Sequence, residues 1–370
     1  MQLDTVLLKV ASRCNINCSY CYVYNQGDTN WRRMPKHMSA ALVDDVIRQL
    51  SILYEDQQHP FAIVLHGGEP LLLPRTILVA LLEGLSDRLP VTCSRSIQTN
   101  GTLIDDELLA LCFRTNTTLS VSLDGPADIH DTFRVTFNGS GTYASAAAGI
   151  ARIRQHPNAA HIFTGVLCVI DPQSNARRVY EFFKSLAVPS IDFLFKDGNY
   201  AKLPLGKSAI DSTEYGRWLA MAWDCYIKDP DPPRIRILDD FARLLLGGTP
   251  IKEGCGQTAY GIAVIDTDGS VTKNDTLKST FDGADRFATR WSVSTDRLSE
   301  VAASQEFVQY SQLQRPTSPV CQECSLLSVC GGGMPLSRWH PETRLNNPSV
   351  YCADYEMVIN HINETLQEYR

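Results

Sequence analysis

Cys14-Asn15-Ile16-Asn17-Cys18-Ser19-Tyr20-Cys21-Tyr22 places three thiols within eight residues, at gaps of three and two. A thiolate is a soft ligand that suits zinc, copper(I) and iron–sulfur clusters. Zinc sites normally take four protein ligands, usually as separated pairs. Three cysteines on one loop leave a metal position open, as in a 4Fe–4S cube that keeps one iron free to bind something else. Read alone, the same thiols also fit a buried cysteine cluster or half of a zinc site.

Around this loop the chain alternates between strand and helix signals. Thr5 to Val10 is an apolar run that reads as a strand and leads into the cysteines. Ser39 is the expected N-cap of a helix with Leu42, Val46, Leu50 and Leu53 on one face. Phe61 to Leu65 reads as the second strand and ends at His66-Gly67-Gly68-Glu69-Pro70, with a helix over about 75–85. The third strand ends at Ile97-Gln98-Thr99-Asn100-Gly101, and Asp105 and Asp106 open the next helix. Thr118 to Leu123 is the fourth strand, followed by a polar loop and a helix over 144–153. Ile162 to Ile170 and Ile191 to Phe195 are the fifth and sixth, separated by a helix over about 175–186. Such a series predicts an α/β fold with a parallel sheet and helices outside it. Its unusual residues gather in the loops after the strands, where α/β sheets place their ligand sites. Six units are too few for a closed eight-stranded barrel, so an open, curved one is expected.

Asp229-Pro230-Asp231-Pro232-Pro233 breaks the pattern and reads as a boundary. The expected division is 1–230 for the strand–helix domain and 231–370 for a second one. Val264 to Thr272 looks like a hairpin with Asp268-Gly269 at its turn. The chain ends in an amphipathic helix with Tyr355, Val358, Ile362 and Leu366 on one side.

The 370 residues suffice for a large core, with hydrophobic content of 44% and charged content of 20%, both ordinary for a globular protein. A net charge of −7 points away from nucleic-acid and anionic-membrane partners. No apolar run approaches a membrane span, and Met1-Gln2-Leu3-Asp4 does not begin a signal peptide. Twelve cysteines in such a chain argue for metal or redox chemistry rather than a disulfide framework, and for a cytoplasmic location.

The three-cysteine loop, closed by aromatic Tyr22, resembles the signature of the radical S-adenosylmethionine (radical SAM) superfamily. That resemblance implies a partial (β/α)6 barrel and a 4Fe–4S cluster held by Cys14, Cys18 and Cys21. The cluster's open iron would chelate the methionine moiety of S-adenosyl-L-methionine. Gly67-Gly68-Glu69-Pro70 is similar to the element that binds the methionine amino group in that family. The segment Ser120 to Pro126 and His130-Asp131-Thr132-Phe133-Arg134 resemble anaerobic sulfatase-maturating enzymes. By that likeness Ser122 and Arg134 would contact the ribose and carboxylate, while Tyr22 and the backbone near Phe195 would flank the adenine. Arginine suits a carboxylate because its fork can bind both oxygens. Gln98 and Asn100 face the same mouth and are candidates for positioning substrate or cofactor.

Further on, Cys321-Gln322-Glu323-Cys324, Cys330-Gly331-Gly332-Gly333 and Cys352 resemble the SPASM extension of peptide and protein maturases. Its full pattern has seven cysteines serving two auxiliary 4Fe–4S clusters. Here Cys255 matches the first position, but the second falls on Asn274, and the cysteine expected four residues after Cys330 is Met334. The resemblance therefore implies a C-terminal SPASM-type iron–sulfur domain with one auxiliary cluster, on Cys321, Cys324, Cys330 and Cys352. Read without it, four thiols in paired spacing also build zinc ribbons. Asp275 matches the aspartate that acts as base in sulfatase maturases, although a hairpin turn also favours Asp. Cys255 is either a packed core residue, a vestige, or a hydrogen-atom donor of the kind radical epimerases use. Cys93, Cys112, Cys168 and Cys225 fall inside strands or helices and are expected to pack as small hydrophobes.

What the resemblance implies is a radical SAM oxidoreductase that modifies a ribosomally made precursor peptide. Electrons would come from an external donor such as ferredoxin or flavodoxin. The opening Lys9 to Cys14, with Trp31-Arg32-Arg33, is most similar to maturases that form cyclophanes, joining an aromatic ring to a β-carbon. Formylglycine formation, as in sulfatase maturases, and peptide epimerisation are the alternatives. Only thirteen residues precede Cys14, so a separate leader-binding domain is not expected there.

Overall fold

All six expected strands form in the computed structural model, which describes residues 1–251 and 253–368. They are β1 (Thr5–Ala11), β2 (Ala62–Gly67), β3 (Arg95–Thr99), β4 (Thr117–Ser122), β5 (Phe163–Val169) and β6 (Ser190–Leu194). The helices between them start where capping side chains stand. Ser39 accepts from the Leu42 N–H, Asp105 from that of Leu108 and Asn175 from that of Arg178, each contact worth about 1 kcal/mol. The segment expected as a polar loop after Pro126 is instead a short helix, Ala127–Phe133. It begins with the Pro126 carbonyl accepting from the amides of Ile129 and His130. Under two turns of helix carry too little periodicity to be read beforehand.

The chain packs as two compact units. The first comprises residues 1–123, 131–164 and 260–311. Its sheet runs in the order Trp291–Ser292, Ser270–Thr272, Ile262–Ile265, β1, β2, β3, β4. The expected hairpin forms between 262–265 and 270–272. Its first arm also adds to the parallel sheet beside β1, pairing Thr5 with Ile262 and Leu8 with Ile265. Alternation along these strands separates two faces. Val6, Leu8, Ile63, Leu65, Ile97, Leu119 and Val121 are all fully buried on one. At strand positions of the opposite parity stand Lys9, His66, Gln98, Ser120 and Ser122. A sheet face this polar is where a ligand site belongs.

The second unit comprises residues 124–130, 165–259 and 312–370. In it β5, β6 and Arg234–Ile235 pair in parallel. Helix Cys352–Glu368 packs along helix Glu214–Lys228, burying Tyr355, Val358 and Ile362 as expected while Leu366 stays half-buried. A fully buried ion pair pins the start of that last helix. Asp354 accepts from Lys207 Nζ at 2.6 Å and from the Gly216 N–H at 2.8 Å. Cys93, Cys112, Cys168 and Cys225 are buried, as expected. Among the described residues, no helix is long and apolar enough to cross a membrane.

Candidate active site and metal-binding thiols

The cysteine loop is held from several sides within the first unit. Two residues of it, Asn17–Cys18, pair antiparallel with Arg134–Val135, so Cys18 stands opposite Arg134. Asn100, just beyond β3, donates from Nδ2 to Asn15 Oδ1 at 2.8 Å and lies 3.8 Å from Cys14 Sγ. Asn15 in turn donates to Thr102 Oγ1. Trp31 is flanked by the guanidinium groups of Arg13 and Arg32 at 5.2 and 5.4 Å, and Arg13 donates to Ser12 Oγ at 2.8 Å. Burial, with repulsion from Glu69 and from the other two thiols, pushes Cys14 up to about 12. Burial and the neighbouring Cys18 push Cys21 up to about 11. Three soft donors, Cys18 buried and Cys14 and Cys21 half-buried, that repel one another as anions fit a cation among them, which would reverse those shifts.

Gly67-Gly68-Glu69-Pro70 packs directly beneath this loop. A Cβ at Gly67, where φ is +140°, would stand 2.0 Å from the Ala11 carbonyl oxygen, and one at Gly68 would stand 2.3 Å from that of Arg13. These glycines thus bring the turn against the backbone that carries Cys14. Glu69 is fully buried. Its Oε1 accepts from Thr99 Oγ1 at 2.7 Å and from the Leu71 N–H at 3.0 Å, and its Oε2 accepts from the Asn100 N–H at 2.8 Å. Burial raises its carboxyl despite these bonds. A carboxylate has about four acceptor positions, so Oε2 keeps capacity for a further donor.

On the polar face of the sheet, Gln98 donates to Ser122 Oγ at 2.9 Å and accepts from Ser120 Oγ. Arg134 donates to the Tyr20 hydroxyl at 2.9 Å, and its charge acts on both Cys21 and Glu69. Tyr22 turns its hydroxyl to Asp275 Oδ2 at 2.9 Å. Phe195 lies in the second unit, its ring packed against Tyr215, Tyr351 and Tyr355.

Asp275 opens a short 3-10 turn, Asp275–Ser279, which Asn274 caps through its side chain. The carboxylate is 3% exposed, yet it is ionised. Burial alone would raise it, but Lys9, whose Nζ is 2.7 Å away, then His66 and Lys278, hold it well below the usual range. Lys9 responds in kind. Burial lowers it, while Asp275, Asp266 and Asp285 together carry it above the ordinary lysine value. Burial lowers His66, against an upward pull from Asp275. Lys9 and His66 were legible only as strand residues. Their signal was a polar side chain interrupting an apolar run at the parity of the open face.

In the second unit, the four C-terminal thiols influence one another. Burial raises all three of Cys321, Cys330 and Cys352, Cys330 to about 12, and the charges of the partner thiols add to each shift. Cys255 Sγ lies 3.8 Å from Asp240 Oδ2, and the next residue, Gly256, donates its N–H to the Val329 carbonyl beside Cys330. Met334 packs against Gly254, where a Cβ would stand 2.9 Å from its sulfur. Among the described residues, no three His, Cys, Asp or Glu side chains close on a single-ion site. A cube spreads its thiolates over separate corners, so a single-ion geometry is not what it needs.

The family model of the radical SAM superfamily matches residues 8–185. The chain is 23% identical over 364 residues to the cysteine-type anaerobic sulfatase-maturating enzyme of Clostridium perfringens, covering 96% of this chain and 94% of that one. Its fold is similar to native anSMEcpe with bound AdoMet, with a TM-score of 0.83, 21% identity, and coverage of 99% and 98% of the two chains. It is also similar to Streptococcus suis SuiB bound to precursor peptide SuiA, with a TM-score of 0.63, 13% identity, and coverage of 90% and 72%. S-adenosylmethionine and a 4Fe–4S cluster are the cofactors of this superfamily, and the three-thiol loop above Glu69 has the donors they require. Residues 8–185 are a radical SAM domain, and the chain that carries them is a radical SAM enzyme homologous to the anaerobic sulfatase-maturating enzymes.

Proposed function

We propose that this enzyme is a maturase of a ribosomally made peptide and that it joins an aromatic ring to a nearby β-carbon. In this reading residues 1–230 are the partial barrel and 231–370 the SPASM-like domain. Cys14, Cys18 and Cys21 hold one cluster, and Cys321, Cys324, Cys330 and Cys352 hold an auxiliary one. Gly67, Gly68, Glu69, Pro70, Ser122, Arg134 and Tyr22, all of the first unit, bind S-adenosylmethionine. When bound, these groups supply a 5′-deoxyadenosyl radical, which removes a hydrogen atom from carbon, and an acceptor for one electron.

The chain's own residues do the rest. Glu69 Oε2 has the free acceptor position for an ammonium, and Arg134 has the charge for a carboxylate. Closing a ring–carbon bond releases one proton besides the hydrogen atom and one electron, so a base is needed. Asp275 is the residue for this. Its Oδ2 already receives Tyr22 and Lys9, which leaves Oδ1 to take the proton. A carboxylate held so far below its usual range is a weak base, but a ring carbon that has lost an electron is a strong acid. The observation that carries the proposal is this ionised, buried aspartate tied to Tyr22, the residue next to Cys21. The peptide class is supported by the likeness to SuiB, solved with a precursor peptide. The missing ligands at Asn274 and Met334, where Met334 instead packs on Gly254, favour one auxiliary cluster.

A second reading, formylglycine formation, is favoured by the full-length likeness to sulfatase-maturating enzymes. One experiment separates them. Reduced enzyme, S-adenosylmethionine and the short peptide encoded beside it should give a product lighter by two hydrogens, cross-linked and inert to an aldehyde-trapping hydrazide. Asp275→Asn should still release deoxyadenosine but form little of that product. An aldehyde on a Cys- or Ser-containing sulfatase peptide, with the encoded peptide unchanged, would replace the first reading by the second.

A further inference from the structure

Arg338 ends the short helix Pro335–Arg338, just after Gly331-Gly332-Gly333, and its side chain is 1% exposed. Its Nη2 donates to the carbonyl oxygens of Leu313 and Gln314. Its buried Nε has no hydrogen-bond partner. Among the described residues, no Asp or Glu forms an ion pair with it. The groups whose negative charge would offset its own are Cys321 and Cys330, once they are thiolates.

A buried charge without a counter-charge is strongly unfavourable. Lysine escapes that penalty by losing its proton, but a guanidinium stays charged. The place of Arg338 therefore calls for an anion that is not a carboxylate. A 4Fe–4S cube with four thiolates carries a net negative charge when oxidised and one more when reduced. Charge near a cluster is one of the protein's means of setting its potential.

We propose that Arg338 is the counter-cation of the auxiliary cluster and keeps its reduction potential high enough to accept the substrate's electron. The inference rests on the reading that Cys321, Cys324, Cys330 and Cys352 hold a 4Fe–4S cluster. Arg338 stabilises the reduced cube more than the oxidised one, because one added electron enlarges the negative charge it faces. Its bonds to Leu313 and Gln314 are the competing, purely structural role. Two variants separate these roles. Arg338→Gln keeps an N–H donor and loses the charge, whereas Arg338→Lys keeps the charge and loses the planar fork.

The test is an anaerobic, EPR-monitored titration of the reconstituted full chain with dithionite, alongside iron analysis of each protein. Arg338→Gln should lower the auxiliary potential by at least about 59 mV, a tenfold change for a one-electron couple. Arg338→Lys should stay near the parent, and the other cluster should move in neither. Loss of the auxiliary cluster in the Gln variant with retention in the Lys variant would also support the charge role. Full iron and an unmoved potential in Arg338→Gln would overturn the inference, as would equal loss of the cluster from both variants. A parent protein with only about four iron atoms would instead overturn the underlying reading of the four thiols.

Discussion

At the level of single residues, Lys9 decides how Asp275 behaves. Without its ammonium group, burial becomes the dominant influence on the carboxyl and its pKa rises. An Asp whose folded pKa lies below its unfolded one adds stability above the unfolded value and loses it as pH falls through the folded one. The same sign governs the base role proposed for it, which requires the ionised form. Lys9→Met should therefore move the acid limb of product formation to higher pH, while deoxyadenosine release keeps its own profile. Measuring product per deoxyadenosine across pH checks this. An unmoved acid limb would remove Asp275 from the base role. Sequence made Asp275 a candidate through resemblance but left open an exposed turn. It is buried instead, because a lysine and a tyrosine from distant parts of the chain meet it. Neither partner could be inferred from local spacing, since strand parity becomes a face only once the register is set.

At the level of elements, the glycine turn after β2 and the cysteine loop after β1 are one packed object. Gly68→Ala would force its new Cβ against the Arg13 carbonyl oxygen and the Tyr24 hydroxyl. The expected loss is about 1–3 kcal/mol, read as a lower guanidinium midpoint at unchanged m-value, together with reduced iron loading. A midpoint and iron content like the parent's would show that the turn does not brace the loop. Strands and capped helices were legible because each has a period and a stop signal. The hairpin at 262–272 was legible as a hairpin through its Asp-Gly turn. Its parallel pairing with β1 was not, because no local pattern names a partner so distant in sequence.

For the molecule as a whole, the iron content tests the cluster assignment. Two cubes imply about eight iron atoms per chain. Changing Cys321 and Cys324 to Ala should leave about four and preserve S-adenosylmethionine cleavage, whereas the same change at Cys14 and Cys18 should abolish cleavage. About twelve iron atoms in the parent would mean that Cys255, with non-cysteine ligands, still supports a third cluster. Composition and spacing made the metal chemistry and the α/β class legible. The two compact units were not legible, because each gathers separated stretches of chain.

The strand at 262–265 that lies beside β1 has a consequence for how this protein is made. Contacts of such long sequence separation form late and slowly, after local ones. On a ribosome, β1 and the cysteine loop emerge early, while the strand that seals the edge of β1 and delivers Asp275 to Lys9 emerges far later. Until then the edge of β1 is an open pairing template, and the Lys9 ammonium has no counter-charge from Asp275. If Cys14, Cys18 and Cys21 hold the first cluster as proposed, its insertion can therefore precede the arrival of Asp275 at Lys9. Nascent chains stalled before residue 262 should already take up the first cluster's iron while lacking protection from proteolysis along β1.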